Sequence, residues 1–411
     1  MREHIQVQEK DEQEGLLRWV RVLDLADEKA SYCSKLLADL GASVIKVERP
    51  VGDPSRQIGP FSKTPSSPEE SLFFWHSNTN KQGITLDIEK TEGRELFLRL
   101  LTNSDVVVES FSPGHLQQLG LGFDVLSTRN PGLILVSVTG FGQNGPRSPY
   151  RSCDLVTSAF GGQMFVSGSP STPPLKPSGE QSSYVTSLFS AIAVLLALRK
   201  RRLTGKGEHI DISSQECVAS TLDHVLVRYF YDHVIPARRG SVSWNNASFI
   251  LPCQDGHIHI SIAVQWETLV EWMAAEGMAE DLTDEKWKDE GYRLKHIDHV
   301  MAIVQSWTRT HTVRDLFERG QTMRFPWAPV ASPDDVLQSP QLEATAFFTD
   351  VDHPELGKTL RYPGPPYTLN PPLKKRWKRA PLLGEDNAQI YEGELGLTKE
   401  EVRRLSSRKV I

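Results

Sequence analysis

The sequence predicts an α/β protein, with a doubly wound, Rossmann-like domain and a smaller α+β domain. Three observations carry this expectation. Branched apolar runs alternate with helix-patterned segments through the first half of the chain. One strand–helix–strand set fills about thirty residues, the size of a parallel βαβ unit. The composition then changes after about Tyr229, and 411 residues are more than one ordinary core holds.

The elements follow in order. Val20–Leu25 is a buried-strand pattern, and Ser31–Leu40 is helical with Leu36, Leu37 and Leu40 on one face and Gly41 as its stop. Ser43–Glu48 is the next strand. Gly83–Asp87, Glu92–Thr102, Asp105–Glu109 and Leu133–Val138 continue the alternation. Ligands of such sheets bind beyond the carboxyl ends of the strands, so function is expected just after each one. Tyr184–Arg202 reads as an apolar helix, buried in a core or at a subunit interface, and His209–Ser213 as a strand. Ile250–Ile260 reads as a hairpin turning at Asp255–Gly256. Trp-rich helical segments follow up to Arg319. Beyond Trp327 the chain is Pro-rich and loop-like, ending in a helix from Lys399 to Ser406.

Bulk properties exclude some classes. A net charge of −6 argues against a nucleic-acid surface. The apolar run Leu188–Leu198 stops at Arg199–Arg202, too short to cross a bilayer, so no membrane role is expected. The stretch 1–15 is polar and acidic, without the apolar centre of a signal peptide. Cys33, Cys153, Cys217 and Cys253 lack metal-site spacing, and no metal is expected. A reducing cytoplasm is the expected compartment.

Single motifs are weak. The loop Gly140–Pro146 has neither dinucleotide nor Walker spacing and reads as a surface turn. Ser110–Gly114 follows a strand and opens a helix, where amides can hold a phosphate; a simple capped turn is an equal reading. His257 and His259 alternate on a strand and read as solvent-facing. Cys153, without a histidine partner, reads as a buried small residue.

The order of the segments is more specific. LLADLGASVIKVERPVGDPSR (Leu36–Arg56), NTNKQGITLD (Asn78–Asp87), VVESFSPGHLQQLGLGFD (Val107–Asp124), NPGLILVSVTGFGQNGP (Asn130–Pro146), LTGKGEHIDIS (Leu203–Ser213) and APLLGEDN (Ala380–Asn387) together resemble the family III CoA-transferases. This group includes formyl-CoA transferase, carnitine CoA-transferase and α-methylacyl-CoA racemase. The resemblance implies a large domain made from both chain ends, residues 16–228 and 329–411, with 229–328 inserted as the small domain. It also implies an interlocked dimer.

The chemistry it implies is covalent. An Asp carboxylate attacks an acyl-CoA thioester, giving an anhydride and CoA thiolate. The thiolate returns to give an aspartyl-CoA thioester, from which an acceptor acid takes CoA. Racemase relatives use the same Asp as an acid/base. Counting back from Ala191–Leu195, the slot of that Asp holds Ser183, which cannot form an anhydride. Glu180 is the nearest carboxylate in sequence, and Asp154 is expected to be structural or substrate-orienting. The racemase His slot holds Cys153, and Lys29-Ala30-Ser31 replaces the usual Ala-Gly-Pro. For CoA contacts the resemblance points to Arg49, Leu86, Asp87, Glu89, Ser110, Phe111, Gln118, Arg151, Cys153 and Asp154. The expected protein is one subunit of a two-gene CoA-transferase resembling benzylsuccinate CoA-transferase, with a homologous partner supplying the Asp. Its substrates are an acyl-CoA and a carboxylic acid. The rivals are a homodimeric transferase or racemase using Glu180, and an inactive CoA-binding scaffold.

Overall fold

The computed structural model describes residues 15–63, 67–243, 247–370 and 377–411. The N-terminal stretch read for a signal peptide falls almost wholly outside them. Two compact units form. One comprises Met1–Met164, Lys176–Asp232 and Ala346–Ile411; the other comprises Phe165–Leu175 and His233–Thr345. The second unit therefore reaches beyond 328 and takes in a short piece from upstream of 229. That piece is tied in by Gly240 N–H on Gly168 O at 2.9 Å and Arg238 Nε on Ser169 O at 3.2 Å.

The first unit is built on six parallel strands: β1 (Arg21–Leu25), β2 (Ser43–Glu48), β3 (Gln82–Thr85), β4 (Val106–Glu109), β5 (Ile134–Thr139) and β6 (Glu208–Ser213). Their order is β3-β2-β1-β4-β5-β6, so the winding reverses between β1 and β4. Alternate side chains point to opposite faces. Leu23, Ile45 and Val107 enter one core with helix α2 (Thr91–Leu101) below them. Val22, Val44, Val106 and Val136 enter the other, under α1 (Ser31–Asp39). Burial on both faces explains why these strands are continuous apolar runs.

After α3 (Asp154–Phe160) comes α4 (Gln181–Thr204), 24 residues and about 36 Å long, closed by Gly205 in the left-handed region at φ 72°. Among the described residues it is the one helix long and apolar enough to cross a membrane. Its inner face, Ala191, Val194, Ala197 and Leu198, is packed in the sheet core. Leu188, Phe189, Ile192, Leu195 and Leu196 are exposed, so the helix is not buried all round within this chain. α5 (Asp223–Asp232) buries none of its residues and exposes Val227, Phe230 and Tyr231.

The second unit holds the expected hairpin, β7 (Ser248–Pro252) and β8 (His257–Ser261), extended by β9 (Ala328–Pro329). Helices α6 (Trp266–Ala275), α7 (Ile297–Thr308) and α8 (Val313–Thr322) pack on it around buried Trp266, Trp272, Trp307 and Trp327. His257 is exposed and His259 half-buried, as alternation requires.

The segment read as loop-like contains an antiparallel hairpin instead, β10 (Phe348–His353) and β11 (Lys358–Pro363). Its inward residues are Val351, His353 and Tyr362. His353 is fully buried, with Nδ1 3.0 Å from Glu355 Oε1 and Nε2 3.0 Å from the Tyr362 hydroxyl. The terminal helix α9 (Lys399–Ser407) forms as expected. Just before it, side chains cover the free edge of β3. Asp386 Oδ2 accepts Gly83 N–H at 2.7 Å, Asn387 Oδ1 accepts Thr85 N–H at 2.9 Å, and Tyr391 O–H donates to Thr85 O at 2.6 Å.

Candidate functional site

Six buried charges anchor the carboxyl ends of β1 and β2. Lys81 Nζ donates at 2.8 Å to Asp24 Oδ2, Asn78 Oδ1 and Ser31 O; burial pushes its pKa down to about 8. Lys46 pairs with Asp53 at 2.7 Å. Arg56 grips Glu48 through Nε–Oε2 at 2.6 Å and Nη2–Oε1 at 2.8 Å. Three cations balance three carboxylates, and each charge has hydrogen-bonding partners. Lys46 on Ala26 O and Lys81 on Ser31 O thus hold the two ends of the loop between β1 and α1.

That loop forms one wall of a cavity of about 210 Å³ lined by Lys29, Ser110, Phe111, Thr139, Gly140 and Arg151, among others. It lies at the carboxyl ends of β1, β4 and β5, where the winding reverses and α/β sheets bind ligands. Ser110 Oγ donates to Asp27 Oδ1 at 2.7 Å and accepts Asp27 N–H at 2.8 Å, which fixes this wall. Lys29 pairs with Asp27 and lies 3.8 Å from Glu28. Burial opposes its charge, but the two carboxylates raise its pKa above the ordinary lysine value. The Thr139 hydroxyl is buried in the lining without a hydrogen-bond partner among the described residues. Gly140 has no room for a side chain: a Cβ would meet Ser152 Oγ at 2.2 Å. Arg151 is exposed at this cavity and has no ion-pair partner among the described residues.

The amino end of α4 forms a second group. Asp154, the first residue of α3, is buried, and its Oδ1 accepts the Ser183 N–H at 3.0 Å. Lys176 Nζ lies 3.3 Å from Asp154 Oδ2 and 3.4 Å from Glu180 Oε1. Next to Ser183, Tyr184 packs edge-on against Tyr32 with ring centroids 4.9 Å apart. Two residues distant in sequence, Asp154 and Ser183, thus meet at the slot.

A third group sits beyond β2 and β3. Arg49 is exposed and its Nη2 is 2.5 Å from Glu89 Oε1, so the guanidinium is paired. Glu89 lies 3.9 Å from His115, whose ring packs 4.9 Å from Phe111. Asp87 Oδ1 accepts Glu89 N–H at 3.0 Å. Lys90 is committed to Arg408 O and Lys409 O, both at 2.8 Å.

The remaining candidates take varied positions, and one expectation, a buried Cys153, is corrected. Leu86 is buried in the hydrophobic core, so its side chain is not on a ligand surface. Gln118 is exposed at the end of a four-residue helix, His115–Gln118. One turn carries little dipole, so Ser110–Gly114 is not the amino end of a phosphate-binding helix. Cys153 is exposed, because it stands at the N-cap of α3 with its side chain outside the packed turn. Sequence reasoning gave Lys29 no site role and missed Lys176; Thr139 opens one of the strand-end segments where function is expected.

The family model for CoA-transferase family III matches residues 17–387. The chain belongs to CoA-transferase family III. It is similar to the succinyl-CoA:(R)-benzylsuccinate CoA-transferase subunit BbsE of Thauera aromatica, 33% identical over 90% of this chain and 92% of that one. It is also similar to the succinyl-CoA–L-malate CoA-transferase beta subunit of Chloroflexus aurantiacus, 33% identical over 96% of this chain and 98% of that one. Among solved structures, a CAIB/BAIF family protein from Brucella suis superposes with a TM-score of 0.83. It is 29% identical over 93% of this chain and 100% of that one. The protein is an enzyme of the CoA-transferase type, with acyl-CoA as substrate.

Proposed function

We propose that this chain is the subunit of a heteromeric, cytoplasmic CoA-transferase that lacks the nucleophile, and that a homologous partner supplies the Asp. The reaction moves CoA from an acyl-CoA to a carboxylic acid. The observation that carries this reading is Ser183 at the nucleophile slot, its N–H held by the buried carboxylate of Asp154. Glu180 and Asp154 are both drawn to Lys176, and neither is presented as a free nucleophile.

The names of both relatives above mark them as subunits and include dicarboxylic acids, which supports a dicarboxylate substrate here. Arg151 supports it too, since an unpaired guanidinium suits a second carboxylate. The thioester end of CoA is assigned to the cavity at Ser110, Phe111 and Thr139, and Arg49 with Glu89 to its rim. The exposed apolar faces of α4 and α5 support burial against a partner, in the interlocked manner of the family.

Acyl-transfer turnover of the isolated chain, and of the chain with its copurifying homologue, tests the reading. The complex is expected to be active and the isolated chain silent, with Glu180→Gln changing the complex by no more than a few-fold. Loss of a true nucleophile costs roughly 10⁴ or more. Robust turnover by the isolated chain that disappears in Glu180→Gln would overturn the partner model.

A further inference from the structure

Glu109 ends β4 next to Ser110 and Phe111 of the cavity lining, and it is 3% exposed. Its Oε2 accepts the Phe111 N–H at 2.7 Å, and Ser137, its register partner on β5, hydrogen-bonds the carboxyl. The Ser137 hydroxyl lies 2.9 Å from His209 Nε2 on β6. His209 is half-buried and stacks on Phe123 at 5.8 Å. A hydrogen-bonded line therefore crosses three strands, from the backbone of the lining residue Phe111 to a partly exposed imidazole.

No Lys or Arg pairs with Glu109 among the described residues. The charged groups facing it are Asp27 beyond β1 and Asp211 on β6, both acids. Burial first, then these two carboxylates, raises its pKa to about 7. Burial lowers the pKa of His209, and Asp211 works against that shift.

We propose that Glu109 is a positioning residue of the cavity that takes up a proton when CoA binds, with Ser137 and His209 as the route to solvent. This rests on the assignment of CoA to the cavity. Phe111 N–H ties the carboxyl to the cavity wall. CoA filling the cavity displaces water from beside Phe111, and further desolvation of an unpaired carboxylate favours its protonated form. By linkage, CoA then binds more weakly as Glu109 loses its proton.

Calorimetric titration of free CoA into the purified protein at pH 7.5, in two buffers of different ionisation enthalpy, measures the protons exchanged. The CoA phosphate itself titrates near pH 6, so the reading is the difference between wild type and Glu109→Gln. Wild type is expected to take up more protons than the variant, by up to one per site. Its affinity is expected to fall up to about tenfold more between pH 6 and pH 8, the effect of a one-unit pKa shift. Equal proton uptake and equal pH slopes would overturn the proposal. Should the variant not fold, the infrared carbonyl band of a protonated carboxyl is followed in wild type at pH 7.5. Growth of that band on adding CoA supports the coupling, and an unchanged band overturns it. Absence of CoA binding overturns the cavity assignment and the coupling together, whereas binding without linkage overturns the coupling alone.

Discussion

β2 and β4 both end on a buried glutamate, and the two are treated differently. Glu48 receives two bonds from Arg56, inside a network of three cations and three carboxylates. Glu109 receives an amide, a hydroxyl and no cation. Balanced charge under β1 and β2 is scaffolding, and it keeps the loop bearing Lys29 in place. Unbalanced charge under β4 stays able to change its protonation near neutral pH. The contrast teaches that burial alone does not mark a functional carboxylate; the missing counter-ion does.

The comparison breaks most severely if Arg56 is removed. Arg56→Met leaves Glu48 buried without its partner, and a loss of about 3–5 kcal/mol is expected in urea unfolding. Adding Glu48→Gln to that variant is expected to restore part of it. A loss under about 1 kcal/mol would show that the network is not scaffolding.

Glu109→Gln moves stability the other way. The folded-state pKa of Glu109 is raised, from 4.5 to about 7. Its contribution is therefore fully present below the unfolded value and lost as pH rises through about 7. Relative to wild type, the variant is expected to gain stability across that window, on the order of 3 kcal/mol at pH 8. Unfolding free energies of both proteins at pH 5 and pH 8 check this. A pH-independent difference would dissolve the contrast between the two glutamates.

Lys176→Met gives the smallest effect. Its ammonium is partly exposed between Asp154 and Glu180, so solvent screens both pairs, and about 0–1 kcal/mol is expected in the same assay. A larger loss would place the head of α4 with the scaffolding charges.

The parallel sheet was legible because strands buried on both faces are unbroken apolar runs; Ser43–Glu48 was read with its observed limits. The β10–β11 hairpin was not, because one of its two fully buried inward residues is His353, and hydropathy counts it as polar. Its partners Glu355 and Tyr362 make that burial possible, and no local pattern announces them. At the site, Ser110, Phe111 and Arg151 were named through the resemblance, and the three line one cavity. Contacts between distant segments stayed hidden: Asp154 on Ser183, 29 positions apart, and Lys81 on Asp24, 57 apart. Cys153 was misread because a lone cysteine in sequence says nothing about which side of a helix cap it occupies.

The side chains that cover β3 also bear on how the protein is made. Gly83 and its sealing partner Asp386 are 303 positions apart. At roughly 5–20 residues per second, a ribosome needs about 15–60 s to travel between them. Throughout that interval the growing chain carries an open strand edge, a template for pairing with any neighbouring chain. Crowded polysomes and premature stop codons upstream of Asp386 would both leave that template uncovered.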